Sequence, residues 1–138
     1  MDSEIRKLDK LCSEYVRKRA IHLVGGCERC LTKKYDTTRE DGSTKPAYLQ
    51  LQCAHCFTRN RFSTRWLETN LAGICPGCHM FLDENHDEKM EWFKERLGPE
   101  TYELLRIQSE SHYSTDKELI RLYLENKIQE VDNATTRG

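Results

Sequence analysis

The chain has no long apolar run: none of its segments approaches the roughly 20 consecutive apolar residues of a membrane-spanning helix, so no membrane span is expected. It also lacks the apolar stretch of a signal peptide. The first ten residues are charged instead, and the expected compartment is a reducing cytoplasm. A dominant charge sign is missing too, because 22 Lys and Arg against 23 Asp and Glu leave a net charge of −1. That balance neither requires nor excludes a nucleic-acid partner, since a local patch decides the matter. Internal repeats and low-complexity segments are absent.

With 138 residues there is room for one domain with a modest core. The apolar share of 37% is low and the charged share of 33% is high, so such a core needs reinforcement. Seven cysteines offer it, and six of them form CxxC pairs: Cys27/Cys30, Cys53/Cys56 and Cys75/Cys78. In a reducing compartment paired CxxC knuckles serve zinc more often than disulfides. The Gly and Pro residues around the first and third pairs support tight turns, and zinc is therefore assigned to Cys27, Cys30, Cys75 and Cys78. Cys53 and Cys56 lie at the end of an expected strand, where side chains at i and i+3 face opposite ways unless the strand ends between them. Replacement of one pair by Cys53/Cys56, or a second metal, remains the alternative. Cys12 falls on an apolar stripe and is expected to be a buried hydrophobe.

Residues 3–20 carry Ile5, Leu8, Cys12, Tyr15 and Val16 at helical spacing, an amphipathic helix that Gly25 and Gly26 should end. Residues 36–46 are polar with Gly and Pro and are expected to form a surface loop. Alternation through residues 47–55 predicts a strand that delivers His55 to its end, and residues 71–74 predict its partner. Beyond Asn85 the spacing predicts helices on either side of Gly98 and Pro99, then a last helix capped at Ser114, Thr115 and Asp116. Between His55 and Trp66 stand Arg59, Arg61 and Arg65 without an acid, a candidate phosphate-binding face.

The stretch from residue 51 to residue 85 combines a strand-end histidine, an asparagine fifteen residues later and a CxxC knuckle followed by His79. This combination resembles the HNH motif of the His-Me finger nucleases, and the run through Arg59, Thr64, Arg65, Trp66, Asn70 and the knuckle resembles phage recombination nucleases of the NinG type. The resemblance covers about 60 residues from Cys27 onward. It implies that His55 is the general base, that Asn70 orients the attacking water and that His79 ligates a catalytic Mg²⁺ or Mn²⁺. The family commonly has a ligand immediately before the base, where this chain has Ala54; Asn85 is the favoured replacement, with Cys53, His86 or waters as others. On the residues alone, His55 is also a candidate zinc ligand, His79 a cap of the knuckle turn and Asn70 a turn residue.

The expected fold is thus α+β: a zinc-stapled, treble-clef-like ββα (His-Me finger) core with flanking N- and C-terminal helices. The single HNH nuclease domain spans 1–138, with the N-terminal helix at 1–22, the zinc-bound finger at 23–85 and the C-terminal helices at 86–132. The implied function is a metal-dependent endonuclease that hydrolyses DNA phosphodiester bonds, on branched or single-stranded recombination or replication intermediates of a phage, in the host cytoplasm. DNA is the expected partner, and the last helix could supply a homodimer seam. The rivals are a non-catalytic zinc-dependent DNA-binding module and a protein-interaction adaptor.

Overall fold

The computed structural model describes residues 2–112 and 115–137, with side chains up to residue 134. The first element, α1 (Ser3–Val24), opens where the Asp2 carboxylate accepts from the Glu4 N–H at 2.8 Å. It buries Leu8, Cys12, Tyr15, Val16 and Ala20 and ends at Gly25, whose φ of 72° lets its N–H return to the Ile21 carbonyl. The helix therefore continues two residues past the expected boundary at 22.

A short hairpin follows, β1 (Thr37–Thr38) against β2 (Thr44–Lys45), within the expected surface loop. Residues 47–55 are not one strand. Ala47–Gln50 is a 3₁₀ turn, in which Leu49 N–H reaches the Pro46 carbonyl and Leu51 N–H the Tyr48 carbonyl. Only β3 (Gln52–His55) is extended. Apolar alternation cannot separate these, because a single 3₁₀ turn also leaves some apolar side chains exposed, as Leu49 is.

β3 pairs with β4 (Leu71–Ile74) in the antiparallel register Gln52↔Ile74, Cys53↔Gly73, Ala54↔Ala72 and His55↔Leu71. One face joins Ala54, Ala72 and Ile74 to Leu82, Phe93 and Leu105. The other joins Cys53 and Leu71 to Leu8, Tyr15, Val16, Trp66 and Leu124. All four β4 residues are buried. Gly73 is required there: a Cβ would sit 2.7 Å from the Ala20 Cβ and 3.0 Å from the Val16 carbonyl oxygen, so α1 approaches the sheet backbone at its only side-chain-free point.

The chain then runs through α2 (Pro76–Glu84), α3 (His86–Leu97), α4 (Pro99–Ser109) and α5 (Lys117–Arg137), breaking at Gly98 and Pro99 as expected. Asp116 caps α5, accepting from Leu119 N–H at 3.2 Å; Ser114 lies outside the described residues. Ile120, Leu124, Ile128 and Val131 pack α5 toward α1, and Lys18 meets Asp132 at 2.9 Å. The fold is α+β, and among the described residues no helix is long and apolar enough to cross a membrane.

Candidate metal centre and strand-end histidine

The first knuckle is a tight turn in which Leu31 N–H reaches the Cys27 carbonyl at 2.9 Å. It holds Leu31 at φ 61°, a left-handed conformation that costs a side-chain-bearing residue about 1 kcal/mol and persists only where the surroundings impose it. The second knuckle is built on a helix start. Cys75 precedes α2, Pro76 takes its first position and Cys78 stands in the first turn, where the helix dipole favours a thiolate. What unites two pairs 45 residues apart is Glu28. Its N–H and one carboxylate oxygen bond the carbonyl and N–H of Gly73 at 3.0 and 2.6 Å, while Arg96 donates to the other oxygen at 2.7 Å. The first knuckle is thereby docked onto β4, the strand that leads into the second.

The sulfurs of Cys27, Cys30, Cys75 and Cys78 all lie within 4.8 Å of one another and could hold a structural metal such as zinc. Cys30 and Cys75 are 3.8 Å apart. That is the edge of a tetrahedron whose corners stand about 2.3 Å from its centre, the Zn–S distance. It is nearly twice the roughly 2.05 Å of a disulfide. Cys27 Sγ accepts from the N–H groups of Cys30 and Cys75 at 3.4 and 3.3 Å, and Arg29 donates to Cys78 Sγ at 3.4 Å. These are the partners a thiolate needs when it also binds a cation. Hydrogen bonds from Thr32 bring the Cys30 thiol down to about 6, whereas burial pushes Cys78 up to about 12. Cys53 and Cys56 are buried outside this cluster, which removes the alternative pairing, and Cys12 is a buried hydrophobe.

His55 is the last residue of β3 and is half-buried. Its pKa is lowered to about 4, first by burial and then by the Arg59 charge, against the opposing pull of the Asp9 carboxylate. The imidazole is therefore neutral at ordinary pH. His79 lies on α2, toward the opposite edge of the hairpin, with Nδ1 2.6 Å from Gln52 Oε1. An amide oxygen only accepts, so Nδ1 donates to it, while Nε2 lies 3.6 Å from Asp83 Oδ2.

Three expected site residues do other work. Asn70 is fully buried, accepts from Phe57 N–H at 2.7 Å and donates to the Phe57 carbonyl at 3.1 Å; sealed from solvent, it braces the loop instead of orienting a water. Arg65 is buried and closes on Asp9 at 3.0 and 2.6 Å, so it is no phosphate ligand. Asn85 donates to the Phe81 carbonyl at 2.8 Å and caps the end of α2. Of the other arginines, Arg61 bonds Ser109 Oγ at 3.1 Å and Arg59 is exposed beside the hairpin end. Sequence reasoning missed Asp9, Gln52, Glu28 and Asp83. Only Asp83 had a local signal, its i+4 spacing from His79.

Comparison of the chain with known protein families, with curated proteins and with solved structures gives no match.

Proposed function

We propose that this chain is a zinc-stapled HNH (His-Me finger) endonuclease that hydrolyses DNA phosphodiester bonds with a divalent cation. The observation that carries the reading is a pair of histidines in one ββα unit clasped by four cysteines. One ends β3 and is kept neutral; the other, on the next helix, meets Gln52 at the start of β3 through Nδ1 and faces Asp83 at 3.6 Å through Nε2. A neutral imidazole takes a proton from water, the first requirement for attack on phosphorus. In the free protein His55 is a weak base, because burial and Arg59 oppose its protonation. A phosphate placed beside it offsets the Arg59 charge, though not the burial, and so raises its basicity in part. Arg65, nearby, is locked by Asp9. Arg59, exposed and adjacent, is the residue that meets the phosphate.

A catalytic divalent cation would take most of its shell from water and phosphate oxygens. His79 would hold it through Nε2, with Gln52 fixing the tautomer, and such ions need few protein ligands because waters and substrate phosphate complete the shell. When bound, the cation supplies charge stabilisation for the leaving oxygen.

Ala54 favours a second reading, a zinc-dependent DNA-binding module without catalysis, because a methyl group cannot ligate. Incubation of the zinc-loaded protein with plasmid, single-stranded and branched DNA in Mg²⁺ or Mn²⁺ separates the two. Cutting that His55→Ala abolishes supports the nuclease; a gel shift without cutting selects the binding module; neither result leaves only the adaptor.

A further inference from the structure

Cations are not neutralised alike along the helices. On α4 and α5 the arginines are bracketed by acids one turn away: Arg106 by Glu103 and Glu110, and Arg121 by Glu118 and Glu125. On α1 the acids are committed elsewhere. Asp2 caps the helix start, Asp9 closes on Arg65 and Trp66, and Glu14 pairs with Lys18. Glu4 shares its face with Lys7 and Leu11. Arg6, Lys10 and Arg17 are therefore left without a carboxylate partner among the described residues.

These three cations and Ser13 recur every three or four residues, so they form one face of α1, about 16 Å long at 1.5 Å per residue. It lies away from the buried stripe of Leu8, Cys12 and Tyr15, and Arg6 and Lys10 are exposed on it. Arg17 is held in place: Nε donates to the Ser13 carbonyl at 3.1 Å, and the guanidinium stands 5.2 Å from the centre of the Tyr48 ring. The Arg59 charge acts on Asp9, Cys12 and Cys53 as well as on His55, and the Arg17 charge also reaches Cys53. The basic face of α1 and Arg59 thus share one flank of β3, the strand that ends at His55.

We infer that this face of α1 is a phosphate track, on which Arg6, Lys10 and Arg17 hold the backbone of a DNA strand that Arg59 meets beside His55. The inference rests on the nuclease reading for the identity of the polyanion and adds three residues outside the motif that suggested it. Between residues 6 and 17 the stripe holds three cations and a hydroxyl and no apolar side chain. It offers no pocket for a peptide side chain, whereas a chain of evenly repeated phosphates needs only charge at regular intervals. Such contacts position DNA without reading its sequence.

Fluorescence anisotropy of a labelled DNA duplex with the full-length zinc-loaded protein, at several salt concentrations and without Mg²⁺ or Mn²⁺, tests the track separately from cutting. Arg6→Gln and Lys10→Gln should each lower the slope of log affinity against log salt by about one, and the double variant by about two. Arg6→Lys, which keeps the charge, should keep the slope. Arg121→Gln should leave it unchanged, because Glu118 and Glu125 already neutralise that arginine. Zinc content and circular dichroism of each variant should match the wild type, since positions 6 and 10 are exposed. Bound DNA should also shield Lys10 from acetylation, read by mass spectrometry.

An unchanged slope in the double variant overturns the inference, and if the wild type still cuts DNA the nuclease stands without it. A lowered slope in a protein that never cuts keeps the track and removes the nuclease. Absence of any DNA binding by the wild type overturns both. Shielding of Lys10 by poly-glutamate but not by DNA would assign the face to an acidic protein and overturn the inference as well.

Discussion

Asn70 and Phe57 form a closed pair. The Asn70 amide oxygen accepts from the Phe57 N–H at 2.7 Å, and its amide nitrogen donates to the Phe57 carbonyl at 3.1 Å. The pair imitates one rung of a β-ladder just beyond the point where β3 and β4 part. Between the two residues the chain runs through turns in which the N–H groups of residues 61, 64, 67 and 70 reach the carbonyls of residues 58, 61, 64 and 67. This loop carries Arg59.

Asn70→Ala strands a buried N–H and a buried carbonyl at Phe57. Stability should fall by about 2–3 kcal/mol, since each unmade buried hydrogen bond costs about 1–3 kcal/mol. Denaturant unfolding of the zinc-loaded protein checks it. A loss below the error of that method would show the loop to be braced by other contacts.

Zinc binding separates the cysteines. Native mass spectrometry should find one tightly bound zinc per chain, lost in Cys75→Ser and retained in Cys53→Ser, because only the first contributes to the four-sulfur cluster. Zinc should also be released as pH falls, since protons compete for thiolates. Retention of the metal by Cys75→Ser would contradict the cluster.

Arg59 and Arg65 should part company. Arg59→Ala is expected to weaken DNA binding and to reduce the salt slope by about one, leaving stability unchanged. Arg65→Ala instead leaves Asp9 with only the Trp66 N–H and no paired cation, and should destabilise the fold by about 3 kcal/mol. Burial alone would raise the Asp9 carboxyl, but the bonds from Arg65 and Trp66 outweigh it and hold the group below its ordinary value. The stability this pair provides is therefore complete above the ordinary carboxylate pKa and is lost as pH falls through the folded one. Calorimetry across acid pH, on both variants, measures each effect.

His55→Ala should reduce cutting about 10²–10⁴-fold while keeping zinc and DNA binding. With the ring down at about 4 in the free protein, kcat/KM should show no His55 titration between pH 8 and 5. The profile of kcat, which reports the complex, should turn at a higher pH because bound phosphate raises the same ring. Coincident profiles would remove the proposed response to substrate. The depressed value also has a stability sign: the unfolded ring protonates first, so stability falls as pH drops from 6.5 toward about 4.

The pairing of knuckles, the helix breaks at Gly25 and at Gly98–Pro99, and the buried β4 strand were all legible in the sequence. Each is governed by residues within a few positions of one another: CxxC spacing, a glycine that tolerates positive φ, a short apolar run. Only the tertiary structure decided the roles of Asn70 and Arg65, because their partners are residue 57 across a loop and residue 9 across 56 positions of chain. It likewise turned residues 47–50 into a 3₁₀ turn, where the bond from Ala47 N–H to Asp36 and the start set by Pro46 outrank the apolar alternation. It also brought Lys89 of α3 to Asp83 of α2. Local spacing determines which residues can share a turn or a face, but which polar atom is left open for chemistry depends on which distant residue reaches it first. Folding at long range settles that competition.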